Sequence, residues 1–572
     1  MIPINRRQFT QFLGASAVVA VGQRVMPGWL VSHAAEPAGV QPATPFFDGI
    51  TLQNMPSTRV DDITLSAGLR YKVLLRQGDI LNPKGDRFGD HNDYLAHVQR
   101  SPTEGWLWSN HEKASLSILS DDWSRLSTRA QAATLLQNMG GSCLRMRRNP
   151  DGRWRPVLPD SRNFRLDGLK TRFRVTGPAR GSDYLGGVRE IIGTVGNCGG
   201  GVSPWGTFFS GEENFQTYFA DPEMPEVEVD GKDLRAAEGG ESAAFEQPML
   251  VQAFFPRPAS HYGYMIEVDP ETGERWKHTS LGRFSHENVA FAVSRDQRLV
   301  CYLGDDRMGQ CIYKFISQDR FDVRAGGSNR RLLEQGTLYV ADTDHGRWLA
   351  LDPVHQPALR KAGFDAARVC VHTRTAARLV GGTPHARPEE VEVHPITGEV
   401  FVCITAYQAG KPPKGGAYTN EVKGGLARIR ELGGDAGAME FQFEIFVHGS
   451  RETGLTWPDN IGFGANGDLI VTSDFKLAAN PPANSAQSIF GNNYLMLVPA
   501  TGPNAGKVTR FATGPCGSEF CSPTLSPDRA ELWVNVQHPG EGSKSRETLT
   551  SHWPDGGNSL PRSCMVALER IP

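Results

Sequence analysis

The chain has 572 residues, and its 60 lysines and arginines nearly balance its 63 aspartates and glutamates, which gives a net charge of -3. It carries no basic stripe, and this argues against nucleic acid as a partner. The 63 glycines and 38 prolines favour many turns between short strands over long helices. We therefore expect one large β-rich domain over residues 45–572 rather than several domains.

The N-terminal segment MIPINRRQFTQFLGASAVVAVG places Arg6 and Arg7 ahead of a weakly apolar run rich in glycine and alanine. This arrangement resembles a twin-arginine export signal over residues 1–35, with a cleavage site near Ala34 and Ala35. The run is too short and too mild to span a bilayer permanently. We expect the export machinery as a partner and a periplasmic or secreted protein. The alternative is an ordinary amphipathic helix.

A short pattern recurs along the chain, and each copy opens on a carboxylate or a cysteine. The copies are CGGGVSPWGTFFSGEE from Cys198, ENVAFAVSRDQRLVCYLGDD from Glu287, EEVEVHPITGEVFVCIT from Glu389, DNIGFGANGDLIVTSD from Asp459 and a weaker CSPTLSPDRAELWVNVQ from Cys521. In the last four, apolar or small residues stand two and four places after the first residue, which indicates a strand. A turn and a second apolar run complete a β-hairpin.

Several copies also end on an acid. These end residues are Glu212 and Glu213, Asp305 and Asp306, and Asp474. An earlier stretch, HNDYLAHVQRSPTEGWLWSNHE, has the same shape, with Asp93 near its start and Glu112 at its end.

Repeated hairpins predict an all-β fold built as a six-bladed β-propeller, because a lone hairpin buries too little and must stack on its neighbours. Equivalent positions then face one axis, so that Cys198, Glu287, Glu389 and Asp459 become neighbours. Clustered carboxylates raise one another's pKa, and bound cations relieve the repulsion. The alternative is that each acid merely ends a strand on a solvated loop.

Helical and loop insertions are predicted near residues 113–139, 217–255, 406–425 and 475–495, where the hairpin pattern is interrupted. The first has apolar residues at helical spacing. The third is rich in glycine and lysine, and it could either cover the mouth of the propeller or remain a solvated loop.

The nine cysteines are an odd number for an exported protein, so at least one cannot join an intramolecular disulfide. Cys198, flanked by glycines, is the candidate free thiol. Cys301 and Cys403 alternate within apolar strands and are expected in the core. Cys516 and Cys521 could pair with each other.

At this point a family resemblance can be named. The twin-arginine start and the motifs GNCGGGVSPWGTFFSGEEN, GRFSHENVAF, LGDD followed by CIYKF, RPEEVEVHPITGEVFV, WPDNIGF and EFCSPTLSPDRAELWVNVQHPG resemble the PhoX-type alkaline phosphatase family, in the expected order over roughly residues 60–565. The resemblance implies a six-bladed propeller that carries two ferric ions and several calcium ions around a bridging oxo group. It also implies hydrolysis of phosphate monoesters outside the cytoplasm.

The resemblance assigns residues by motif. Cys198 is expected as the thiolate ligand of iron, and Glu213, Glu287 and Glu389 as carboxylate ligands of Fe³⁺ and Ca²⁺. Arg387 is expected to face the phosphate. The second candidates are Asp459, Asn460, Asp305 and Asp306, with Asn460 placed beside Arg387 in catalysis and Glu212 as the alternative to Glu213.

The residue chemistry agrees with this assignment. Calcium takes about 6–8 oxygen ligands, whereas a thiolate indicates a transition metal as well. Two other functions stay open from the sequence: a calcium-dependent lactonase or esterase, in which Cys198 would be idle, and a non-catalytic binding propeller, which leaves the aligned carboxylates unexplained. The expected substrates are small phosphate esters, and the expected oligomeric state is a monomer.

Overall fold

A computed structural model describes residues 44–115, 117, 128–219, 248–406, 424–475 and 485–571. The segment predicted as an export signal lies outside these residues, as do parts of all four predicted insertions. No helix among the described residues is both long and apolar enough to cross a membrane.

Short strands make up most of the described chain. In chain order they are β1 Thr64–Leu65, β2 Leu69–Arg76, β3 Asn92–Gln99, β4 Glu104–His111, β5 Gly140–Arg148, β6 Trp154–Pro156, β7 Phe164–Leu166, β8 Arg172–Thr176, β9 Glu190–Ile192, β10 Asn197–Val202, β11 Phe208–Glu212, β12 Met265–Val268, β13 Arg275–His278, β14 Ala290–Val293, β15 Arg298–Gly304, β16 Met308–Gln310, β17 Ile312–Arg320, β18 Gly336–Asp342, β19 Arg347–Ala350, β20 His385–Ala386, β21 Pro388–Val393, β22 Val400–Ile404, β23 Gly425–Glu431, β24 Phe441–His448, β25 Pro458–Phe463, β26 Leu469–Ser473, β27 Tyr494–Val498, β28 Thr509–Thr513, β29 Glu519–Leu525, β30 Leu532–Gln537 and β31 Cys564–Arg570.

Helices are few and short in the described residues. They are α1 Arg129–Asn138, α2 Pro248–Phe254, α3 Pro357–Lys361, α4 Ala366–Val371, α5 Thr373–Val380 and α6 Ala486–Phe490. Helix α1 lies within residues 113–139, where an insertion is predicted, and it starts at a capping box between Thr128 and Gln131.

The strands form six blades, and the predicted six-bladed propeller is confirmed. Blade 1 contains β3–β7, blade 2 β8–β13, blade 3 β14, β15 and β17–β19, blade 4 β21–β24, blade 5 β25–β28 with β1, and blade 6 β29–β31 with β2. The innermost strands β3, β10, β14, β21, β25 and β29 contact one another in a closed ring. Strand β2 pairs with the C-terminal strand β31, so the two ends of the domain close blade 6 together.

Apolar side chains fill each interface between neighbouring blades, because alternate residues of a strand face opposite sides of its sheet. On β22, Val400 and Val402 pack toward blade 3, whereas Phe401 and Cys403 pack toward blade 5. Cys301 is likewise buried between blades 2 and 3. The prediction that Cys301 and Cys403 are core residues is confirmed.

All nine cysteines are free thiols. The Cys516 thiol donates to the carbonyl of Arg59 at 3.3 Å, and the Cys521 thiol donates to Gln537 Oε1 at 3.2 Å. The sequence-based possibility that Cys516 and Cys521 form a disulfide is therefore wrong, because both are free thiols with different hydrogen-bond partners.

Candidate metal centre

Each innermost strand contains a β-bulge near its start. At each bulge the innermost strand has one residue more than the second strand that it pairs with. The bulges lie between Asn92 and Leu95, Asn197 and Gly200, Pro388 and Val391, Pro458 and Ile461, and Cys521 and Thr524. Blade 3 has the same irregularity between the His286–Asp305 bridge and the Ala290–Tyr302 pair. A bulge re-aims the side chain of its extra residue. The first bulged residues form the strand-head ring, namely Asp93, Cys198, Glu287, Glu389, Asp459 and Ser522.

A repeated hydrogen bond fixes this geometry in blades 1 to 5. The backbone N–H of a residue just beyond the second strand donates to the carbonyl of the residue two places before the strand head. The donor is the first residue after the strand in four blades and the second residue after β15 in blade 3. The donor and acceptor pairs are Glu112 to His91 at 3.0 Å, Glu213 to Gly196 at 2.8 Å, Asp306 to Ser285 at 3.0 Å, Thr405 to Arg387 at 3.1 Å and Asp474 to Trp457 at 2.9 Å. These donor residues form the strand-end ring.

The backbone before the strand head is turned sharply to make this bond. His91, Gly196, Arg387 and Trp457 have φ of 47°, 59°, 58° and 45°. Three of these four residues carry a side chain, and a left-handed backbone is uncommon and unfavourable for such residues. Residues of this kind cluster at functional sites. Here the hydrogen bond from the strand-end ring to the carbonyl of the turned residue offsets the cost of this backbone conformation.

The Cys198 thiol lies among carboxylates from neighbouring blades. Its sulfur is 3.1 Å from Asp93 Oδ2 and 3.3 Å from Glu287 Oε2. Donor atoms of Cys198, Glu213 and Glu287 all lie within 4.8 Å of one another, and so do those of Glu287, Asp306 and Glu389. Glu287 is common to both groups, so its carboxylate can bridge two ions.

Burial and mutual repulsion govern the protonation of these groups. Burial, with the neighbouring Glu389 and Asp459 carboxylates, raises the pKa of Glu287 well above its usual range. Burial likewise raises the pKa values of Glu389 and Asp459, and burial together with Glu112 raises that of Asp93 to about 7. Burial next to Asp93 and Glu287 raises the Cys198 thiol pKa. A cation would reverse these shifts by favouring the charged forms.

The donor set fits bound metal. Asp93 Oδ1 and Ser522 Oγ are buried at the strand-head ring without a hydrogen-bond partner among the described residues, although buried polar atoms nearly always have one. Carboxylate oxygens supply the ligands that calcium prefers, and the thiolate supplies one that suits a transition metal.

Glu213 rather than Glu212 faces the axis. Glu212 is fully buried within blade 2, where Lys277 Nζ donates to its Oε1 at 2.6 Å and the Gly263 and Tyr264 N–H groups donate to its Oε2. Its acceptor sites are occupied by protein donors. Glu213 belongs to the Cys198 group. Of the two alternatives, the geometry removes Glu212 from the candidate ligands.

Asp305 and Asp306 differ in the same way: one is paired with a protein cation outside the cluster, and the other remains in the cluster. Arg374 donates to both carboxylate oxygens of Asp305, at 2.8 and 2.6 Å. This pairing takes Asp305 out of the cluster and anchors the end of β15 against α5. Asp306 belongs to the Glu287 group, so only the second of these two acids remains a candidate ligand.

Arg387 lies at the edge of the cluster. Its guanidinium donates to both oxygens of Asp306 at 2.8 Å, and Nη2 is 2.7 Å from Glu389 Oε1. The side chain is 27% exposed, which leaves it within reach of an anion at the mouth. Asn460 lies deeper, with Nδ2 3.5 Å from Glu287 Oε1 and Oδ1 accepting from the Ser522 N–H at 2.9 Å.

Sequence analysis missed several acids of this site. The sequence places Asp93 and Glu112 in a hairpin of the same shape, but the family motifs do not mark them as candidate ligands. The spacing of Asp93 to Leu95, equal to that of Asp459 to Ile461, would have identified Asp93. Asp474 stands out in the sequence only as a hairpin end, and Glu519, the first residue of β29, lies outside the aligned pattern although its carboxylate is close to that of Asp474. In blade 6 the alignment was also one residue early, because Ser522 rather than Cys521 is the bulged residue, with φ of 48°.

Comparison with known proteins decides the family. The family model described as alkaline phosphatase PhoX matches residues 50–540. The chain belongs to the PhoX alkaline phosphatase family. The sequence-based recognition, the phosphatase activity and the dependence on metal are confirmed at the level of the family. No curated protein matches the sequence.

One solved structure agrees with the family. The chain is similar to PhoX of Pseudomonas fluorescens in complex with vanadate, a transition-state analogue, with 28% identity, 91% of this chain and 98% of that chain covered, and a TM-score of 0.77. A gluconolactonase from Xanthomonas campestris covers 94% of this chain and 99% of its own at 10% identity, with a TM-score of 0.32. That second likeness is too distant to bear on function.

A matched pair of substitutions tests the assignment of Glu212 and Glu213. Glu212→Gln leaves Lys277 buried without its counter-charge and is expected to lower the free energy of unfolding by about 3–5 kcal/mol, while the folded protein keeps its metal. Glu213→Gln is expected to lose metal with little loss of stability in the metal-free protein. Denaturant unfolding in chelator and elemental analysis measure both. Loss of metal from Glu212→Gln at unchanged stability would contradict the assignment.

The raised carboxyl pKa values set the pH dependence of the metal-free protein. The folded state binds protons more tightly than the unfolded chain, whose acids titrate near pH 4. The stability due to these protons is therefore complete below about pH 4 and is lost as the pH rises through the folded pKa values, which include about 7 for Asp93. In chelator, we expect the midpoint temperature of thermal unfolding to fall as the pH is raised from about 5 to about 8. With metal bound, the same rise in pH should lower this temperature much less. A rising midpoint in chelator would contradict this account.

Proposed function

We propose that this alkaline phosphatase hydrolyses phosphate monoesters and releases inorganic phosphate at a cluster of Fe³⁺ and Ca²⁺ ions on the propeller axis. The observation that carries the proposal is the contact of the Cys198 thiol with acids from neighbouring blades. A site for calcium alone has no use for sulfur, so the thiolate favours a transition metal within a ring of oxygen ligands.

The proposed ligands follow the two groups that share Glu287. Cys198, Glu213 and Glu287 would hold iron, and Glu287, Asp306 and Glu389 would hold the adjoining ion, with Asp459 contributing from blade 5. When bound, such ions polarise the phosphoryl oxygens, lower the pKa of a coordinated water and stabilise the leaving oxygen. No serine nucleophile is required.

Arg387 is the proposed phosphate-binding residue. A planar guanidinium matches the oxygens of a phosphoryl group in a two-point contact and stabilises charge in the transition state. Asp306 and Glu389 hold the guanidinium in place, while the side chain stays 27% exposed. Asn460 would act on the reaction through Glu287, whose carboxylate it contacts.

We also propose that the protein is exported by the twin-arginine machinery and works as a monomer in the periplasm or outside the cell. Arg6 and Arg7 ahead of the weakly apolar run support the export route. Export of an already folded chain suits an enzyme whose metal cluster is assembled in the cytoplasm.

Metal analysis together with turnover of p-nitrophenyl phosphate tests this function. The purified protein is expected to contain iron and calcium, and chelation of calcium is expected to abolish turnover until Ca²⁺ is restored. Cys198→Ser should lose iron. Its activity should fall by more than the roughly 10- to 100-fold that follows removal of a residue that only hydrogen-bonds to a metal ligand. Cys301→Ser, a buried thiol in blade 3, is the matched control and should keep both.

Two results would refute the proposal. One is full activity of a folded Cys198→Ser variant, and the other is a wild-type protein that contains calcium but neither iron nor phosphatase activity. Circular dichroism of each variant separates loss of the cluster from loss of the fold.

A further inference from the structure

A second thiol lies beside the axis between blades 6 and 1. Cys521 is on β29, two residues after Glu519, and successive residues of a strand face opposite sides. Phe520 accordingly points into the apolar core between blades 5 and 6. Cys521 and Glu519 share the other side, and their donor atoms lie within 4.8 Å of each other and of a donor atom of Asp93.

All three residues of this group are buried. Cys521 is fully buried, Asp93 is 4% exposed and Glu519 is 7% exposed. Two carboxylates and a thiol this close together away from water repel one another when ionised, and a bound cation would relieve that repulsion.

Asp93 connects this group to the Cys198 thiol. Its Oδ2 is 3.1 Å from Cys198 Sγ, while its Oδ1 is buried and has no hydrogen-bond partner in the part of the chain that the structure describes. A carboxylate with one oxygen against a ligand thiol and the other oxygen unpaired is suited to joining two ions. A purely structural aspartate would be expected to have both oxygens bonded.

Glu519 is held in place from outside the group. His538 Nε2 lies 3.1 Å from Glu519 Oε1, and His538 Nδ1 lies 3.1 Å from the Gly517 carbonyl. Hydrogen-bonding partners of this kind commonly orient carboxylates that bind metal.

A structural role for Cys521 is the competing explanation, since its thiol donates to Gln537 Oε1 at 3.2 Å. Cys301 shows what such a role looks like, because it is buried among apolar side chains. Cys521 differs by its two neighbouring carboxylates.

We propose that Asp93, Glu519 and Cys521 form a second thiolate site, which binds an additional transition-metal ion of the iron or zinc class next to the Cys198 site. The proposal rests on the metal cluster proposed above. Calcium does not fit this site because it takes oxygen ligands, whereas a thiolate selects softer ions. As the sulfur–metal bond forms, the thiol proton passes to solvent, so no oxidant or reductant is needed.

Cobalt substitution tests the second site. The full-length metal-free protein is loaded with Co²⁺, and the thiolate-to-cobalt charge-transfer absorbance is measured for wild type, Cys521→Ser, Cys198→Ser and the control Cys301→Ser. Wild type and the control should show equal intensity. Each of the other two should show about half of it, and Cys521→Ser should bind one transition-metal ion fewer per chain.

The outcomes separate the two proposals. Full intensity and full metal content in Cys521→Ser would overturn the second site while leaving the Cys198 cluster intact. A wild-type protein without thiolate absorbance would overturn the cluster itself. If Cys521→Ser fails to fold, Cys521→Ala takes its place.

X-ray absorption at the metal edge gives an answer that needs no variant. On the unaltered iron-containing protein it counts the sulfur neighbours of the bound metal. Two metal–sulfur contacts per chain are expected, and one contact would overturn the proposal.

Discussion

The hydrogen bond that ties the end of each second strand to the turn before the innermost strand is the interaction on which the site depends. It recurs in blades 1 to 5 at 2.8–3.1 Å, and it holds the residue two places before the strand head. The bulge that follows sends Asp93, Cys198, Glu287, Glu389 and Asp459 out of their ladders toward the axis. Residues far apart in sequence thereby reach contact distance, because each blade repeats one local geometry.

The same arrangement creates an electrostatic cost. Burial raises the carboxyl pKa values of Glu287, Glu389 and Asp459, since each acid repels the others where water cannot screen them. Arg387 pairs with Asp306 and Glu389, and Lys113 pairs with Glu112. These ion pairs lie at the edge of the cluster, and Asp93 Oδ1 has no partner within the described segments of the chain. Protein cations thus balance only part of the buried negative charge, and bound metal ions would balance the rest.

The architecture and part of the site could be predicted from the sequence because the hairpin repeats. The repeat predicted the blades and most of the strand heads. It could not separate Glu212 from Glu213, because the decisive partner of Glu212 is Lys277, on a strand 65 residues later. Asp305 likewise depends on Arg374, which lies in helix α5, 69 residues later in the chain. In blade 6 the alternation of apolar residues favoured Cys521, whereas the bulge falls at Ser522. These choices depend on long-range pairing that local periodicity does not contain.

Anomalous diffraction from crystals of the metal-loaded protein, recorded at the iron edge, tests the central claim most directly. The account predicts strong peaks on the propeller axis, bonded to Cys198 and to carboxylates of the strand-head and strand-end rings. An axis without anomalous density, or iron bound only at the rim while those carboxylates stay unligated, would contradict it.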